Sequence, residues 1–214
     1  MIRSQIEKSE LVHAQIALIV AVLLQMLLDK SLVVGPQYLI AGLELLLILA
    51  IGLTPPHRQT RVSHARRSIS FILIALISLA NATSMALVAS DLISGSSVPG
   101  KTLLASAGAI FLTNIIIFSL WYWELDSPAL TGLRKHDARP KFDFPQMESV
   151  IPDNKDWEPS YTDYLYMSAT NASAFSPTDT MPLTHGAKLL MGLQAFISLV
   201  AVVLVTARAV NILG

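Results

Sequence analysis

The sequence contains no cysteine among its 214 residues, and only 14% of its side chains are charged. Without cysteine, disulfide scaffolds, thiolate zinc sites and cysteine nucleophiles are excluded. Ordinary soluble domains carry roughly 25% charged residues, so this chain lacks the polar surface to cover itself in water. Its 15 basic and 15 acidic residues cancel. That leaves no general basic face for neutralising phosphates, and a nucleic-acid binder is not expected. Catalytic patterns are missing too. The five histidines, His13, His57, His64, His136 and His185, show no i, i+4 pair, and there is neither a glycine-rich phosphate loop nor a nucleophile elbow. No enzyme activity, cofactor or metal site is expected.

What the chain has in quantity is apolar surface: 53% hydrophobic residues and a mean hydropathy of +0.56. A disordered tail would be far more polar. The charges are also unevenly spread. Leu11–Leu28, Ser68–Ser90, Thr102–Trp123 and Leu189–Ala207 contain no Asp, Glu, Lys or Arg, and Ser31–His57 contains only Glu44. A hydrocarbon core of about 30 Å needs about 20 apolar residues as helix. An all-α membrane protein with about five transmembrane helices is therefore expected, its first partner being the lipid bilayer. Arg3 and Lys8 precede the first run, but no small-residue cleavage site follows Leu28, so a retained helix is expected rather than a signal peptide.

Turn residues punctuate the runs: Gly35-Pro36, Thr54-Pro55-Pro56, and Gly95 to Gly100. The chain divides into an N-terminal three-helix region, 1–101, and a second region, 102–214, with a long polar loop at 124–160. Ser78, Ala82, Ala86 and Ser90 recur at four-residue steps on the third helix, and Ala105, Ala109 and Thr113 on the fourth. Small side chains let backbones approach, so these stripes are expected to pack on each other. Glu44, Asn81 and Asn114 stand at membrane depth, with Gln15 and Gln25 in the first helix. Amides there are expected to bond between helices. For Glu44 a bonded neutral acid, a salt-bridge partner and part of an ion path all remain open.

The C-terminal third is the most informative. Ser160 and Asp163 have capping-box spacing, which predicts a helix over 160–172 of roughly 18 Å at 1.5 Å per residue. This is too short to span. A half-helix followed by irregular backbone is tolerated at membrane depth only when buried in protein or lining a wet cavity, and its C-terminal end favours a cation. The filter-like turn 173–182 follows, with Ser173, Ala174, Phe175, Ser176, Pro177, Thr178 and Asp179 as candidate pore-lining residues, and then a last helix over 187–210.

A short helix, a turn, Asp179-Thr-Met-Pro182 and an apolar inner helix resemble, in this order, the pore-loop domain of two-helix potassium channels. The likeness covers about the last 110 residues. It sets Ser173–Thr178 where those channels carry their filter, the helix ending at Trp121-Tyr-Trp-Glu124 as outer helix, and the helix with Gln194 and Arg208 as inner helix. The whole chain is also similar to an uncharacterised family of bacterial integral-membrane proteins, through Phe142-Asp-Phe-Pro145, Asp163-Tyr-Leu-Tyr166 and Ala174-Phe-Ser-Pro-Thr-Asp179. These resemblances imply a re-entrant pore-type half-helix before the last helix, a location in the bacterial cytoplasmic membrane, a homo-oligomer (a tetramer) and monovalent cations as the permeant partner. This sequence departs from the channel pattern where filter glycines would stand: Ser176 and Thr178 replace them, with Pro177 between. Glycine supplies those backbone angles cheaply and proline fixes φ, so a wider, weakly selective path lined by hydroxyls and Asp179 is expected. A pore-loop fold that conducts nothing, in a scaffold, sensor or transport accessory protein, is the other expectation.

Lys141–Tyr166 carries six acids against two lysines, which in a symmetric assembly would concentrate cations at a mouth. Arg58, Arg61, Arg66 and Arg67 place loop 54–68 in the cytoplasm, and Arg134, Lys135, Arg139 and Lys141 place 124–160 there as well. Potassium-channel pore loops enter from the opposite face. Either the loop is inverted here or one of the five helices does not span.

Overall fold

A computed structural model describes residues 8–26, 28, 30–33, 42, 45, 48, 64–94, 99–130, 140–147, 157–177 and 179–213. Helices dominate. In chain order they are α1 (Lys8–Met26), α2 (His64–Ser94), α3 (Gly100–Leu130), α4 (Tyr161–Ala174) and α5 (His185–Leu213). Short 3-10 turns occupy Lys30–Leu32 and Pro145–Met147, and strands β1 (Phe142–Asp143) and β2 (Met181–Pro182) form a two-stranded ribbon. Gly42, Leu45 and Ile48 are helical, and Ile48 is buried in the core.

Three segments are long and apolar enough to cross a membrane: Ser68–Asp91 in α2, Gly100–Asp126 in α3 and His185–Ala207 in α5. Even the 23 residues of the last extend about 35 Å as helix, more than a hydrocarbon core of about 30 Å. In α1 the apolar part is shorter, Val12–Met26. Three of the five expected spans thus appear among the described residues, beside one shorter apolar helix. Most of the run Ser31–His57, with Glu44, lies outside the described residues, as do loop residues 54–63, the middle of the polar loop and Thr178.

Helix α3 is the axis, touching α1, α2, α4 and α5. From Ile117 to Leu120, and again from Tyr122 to Glu124, every residue is buried. A helix apolar on all sides is stable only when enclosed. Helix α5, by contrast, exposes Leu189, Leu193, Phe196 and Val203. Those side chains need lipid or protein around them, and with the three apolar segments they define a helical membrane protein.

The contact between α2 and α3 forms, but only part of the expected stripes takes part in it. Ser78 accepts the Trp121 Nε1–H of α3 at 3.0 Å, and Thr113 is buried, whereas Ala82, Ala86, Ser90 and Ala105 point outward. The buried face of α2 is Leu73, Ile77, Asn81, Ser84 and Val88; Leu73 and Ile77 share a cluster with Ile117 and Leu120 of α3, and Val88 one with Leu103, Ala107 and Ile110. The reason is geometric. Each four-residue step overshoots a 3.6-residue turn by about 40°, so a strict four-step stripe winds off the interface. Spacings that mix threes and fours follow it, and larger side chains add dispersion there.

At the far end of α3 the ribbon is pinned down by rings. Phe142 pairs with Pro182 and Asp143 with Met181, and Leu183 N–H donates to Lys141 O at 2.9 Å. The Phe142 ring stands edge-on to Tyr122 and Tyr164, centroids 5.3 and 6.3 Å away, and Phe144 lies 5.4 Å from Tyr164 and 5.7 Å from Trp157. Such pairs add about 0.5–1.5 kcal/mol each beyond area burial. They hold the ribbon and the approach to α4 on one end of the bundle.

Candidate functional site

Helix α4 starts where its cap predicts. Ser160 is extended, and the Asp163 carboxylate accepts its backbone N–H at 2.7 Å and its hydroxyl at 2.8 Å. The helix runs to Ala174, two residues beyond the expected end, because Asn171-Ala-Ser-Ala holds no breaker. Pro177 excludes helical backbone at the residue before it. Phe175 closes α4 in left-handed conformation, φ 56°, as no other non-glycine among the described residues does. Glycine or asparagine usually fills that position. Helix α5 begins at His185 rather than 187, since Thr184 Oγ1 accepts the Ala187 N–H at 3.3 Å.

The inward face of α4 is polar, with Tyr161, Tyr164, Ser168 and Asn171 on one side at spacings of three, four and three. Every one of these groups is bonded. Tyr161 and Ser119 hydroxyls meet at 2.8 Å, and Tyr164 OH donates to Asp126 Oδ2 at 2.8 Å. The other oxygen of Asp126 takes the Lys141 N–H at 3.0 Å, so this buried carboxylate joins α3, α4 and the ribbon. Burial pushes the Tyr161 hydroxyl up to about 12, against a smaller lowering by Ser119.

Gln194, fully buried on α5, is the hub of the network. Its Oε1 accepts Tyr122 OH at 2.6 Å and Asn171 Nδ2 at 2.8 Å. Its Nε2 donates to Ser168 Oγ at 2.7 Å and to Ser168 O at 3.0 Å. Ser168 Oγ in turn donates to Ile115 O at 2.7 Å, and Asn171 Nδ2 also reaches Met191 O at 3.1 Å. These partners set both amide orientations. They leave Asn171 Oδ1 buried without a donor among the described residues, as Thr113 Oγ1 is on α3.

The candidate pore-lining residues lie outside this network. Ser173 and Ala174 form the last turn of α4 rather than part of the filter-like turn. Both are exposed, and the Ser173 hydroxyl bonds back to Ala169 O at 2.8 Å. Phe175, Ser176, Pro177 and Asp179 are exposed on the protomer surface, and Thr180 is buried. The membrane-depth amides are elsewhere and bond between helices, Asn81 Nδ2 to Ile110 O at 3.4 Å and Asn114 Nδ2 to Ser198 Oγ at 3.0 Å. Gln25 Nε2 likewise reaches Ile77 O at 3.3 Å. No cluster of three metal-ligating side chains occurs among the described residues.

Sequence reasoning passed over Tyr122, Asp126, Ser168 and Asn171. A usable signal existed: Gln194 is the only amide in the run Leu189–Ala207, and the 3-4-3 polar spacing on α4 marks a face that needs partners. No protein-family model matches the chain, and no curated protein or solved structure matches it either.

Proposed function

We propose that the chain is a multi-pass protein of the bacterial cytoplasmic membrane with about five spanning helices, working as a homo-oligomer, tetrameric by resemblance. In this reading α4 and the turn after it act as a pore-loop element, and the turn lines a weakly selective path for monovalent cations. One observation carries it. Hydrogen bonds tie α4 to Ile115–Asp126 of α3 and Met191–Gln194 of α5, while its C-terminal end and the turn are exposed on the protomer. That end carries partial negative charge, beside the exposed Ser176 and Asp179. In this reading neighbouring copies enclose the turn.

A non-conducting scaffold, sensor or transport accessory is the second reading. Phe175 in the left-handed position and Pro177 two residues on support it, since neither suits a ladder of filter carbonyls. Purified oligomer in liposomes separates the two. The path reading expects monovalent cation flux that changes in Asp179→Asn, with folding intact. Absence of flux at both voltage signs from a well-folded oligomer defeats it in favour of the second reading, and a clean monomer by native mass spectrometry does the same.

A further inference from the structure

Outside the helices and the turn, the described surface carries an apolar feature on the outer face of the β1–β2 ribbon. Side chains alternate along a strand. Phe142 is fully buried against α3 and α4, so its neighbours along both strands point the other way. On β2 and the residue after it, these are Met181, 56% exposed, and Leu183, 47% exposed. The face is rigid rather than loose. Pairing, the Leu183–Lys141 bond and the Lys141–Asp126 bond tie it to the end of α3.

In sequence this face leads into the exposed apolar side of α5. Leu183 is two residues before that helix begins, and Leu189, 75% exposed, lies within its second turn. Between them His185 and Lys188 are exposed. Apolar side chains with a lysine and a histidine beside them at the mouth of a spanning helix are the composition of a bilayer interface, where a lysine stem lies along acyl chains and its ammonium reaches the phosphates.

We propose that Met181 and Leu183 form an interfacial anchor, seated at the headgroup–acyl boundary of the leaflet that α5 enters, with anionic phosphates as the polar partners of His185 and Lys188. Such an anchor would fix the level at which the ribbon, and with it α4, sits in the membrane. It rests on the membrane reading and not on conduction.

The absence of cysteine makes the test clean. Met181→Cys, Leu183→Cys and Leu189→Cys, each labelled with an environment-sensitive fluorophore, are reconstituted in phosphatidylglycerol–phosphatidylethanolamine vesicles. Quenching by lipid-attached nitroxides is compared with quenching by aqueous iodide. The expected result is that labels at 181 and 183 respond several-fold more to shallow nitroxides than to iodide, and the label at 189 to deeper ones. Iodide quenching of 181 and 183 at the level of free dye overturns the anchor, and so does shielding of both from either quencher, which means a protein contact. If the label at 189 also escapes the nitroxides, the membrane reading itself fails.

Discussion

The two halves of α3 are held by different physics. From Leu103 to Ile110 the neighbours are apolar, Met85 and Val88 of α2 and Ala201 of α5 among them, and Asn81 contributes a long hydrogen bond of 3.4 Å. From Ile115 to Asp126 the helix is joined to α4, α5 and the ribbon by hydroxyls, amides and a carboxylate, most of them bonded at 2.6–3.0 Å. Apolar packing tolerates exchange among residues of similar size. A buried polar network accepts only one arrangement, because each group left unpaired in a low-dielectric setting costs its full desolvation. The difference places adaptability in the α2 half and positional precision in the half that carries α4.

The largest effect is expected at the hub. Gln194→Ala removes the acceptor of the Tyr122 hydroxyl and one partner each of Asn171 and Ser168, which keep Met191 O and Ile115 O, and should cost about 2–3 kcal/mol in reversible unfolding from detergent. Asn81→Leu at the other half of α3 removes one weak interhelical bond and should cost well under about 1 kcal/mol, near the average of about 0.6 for such bonds in membranes. Equal costs at the two positions would erase the contrast between the halves.

The smallest effect sharpens the same contrast through pH. Tyr161 is neutral in its buried site, with its hydroxyl raised from 10.0 to about 12. The unfolded chain therefore loses this proton first. Its contribution to stability should be constant below about pH 10 and fall as pH rises toward 12, with a shallower slope in Tyr161→Phe. Thermal melts of both proteins across pH 8–12 check this. A slope unchanged in Tyr161→Phe would assign it to other groups.

Some of this was legible in the residues alone. Charge-free runs mark α2, α3 and α5 because ionisable groups are costly in hydrocarbon, and Ser160 with Asp163 marks the start of α4 because a helix N-terminus needs acceptors. The stripe at Ser78–Ser90 meets α3 at Ser78 and then leaves it, because residue size says nothing about how a four-step row drifts around a helix. Asp126 was hidden for another reason: it looks like the opening of a polar loop, yet α3 continues to Leu130 and buries it under Tyr164 and the ribbon. The network around Gln194 depends on which helices meet, a tertiary fact that hydropathy does not carry. Phe175 at φ 56° breaks the local preference outright, and such violations concentrate at functional or strained sites.

Hydrogen–deuterium exchange on the protein in nanodiscs, with wild type compared against Gln194→Ala, tests most directly the claim that the polar half of α3 holds α4 in place. The expected result is faster exchange confined to α4 and the turn through Asp179, with α2 unchanged. Exchange that rises equally in α2 and α4, or in neither, would contradict it.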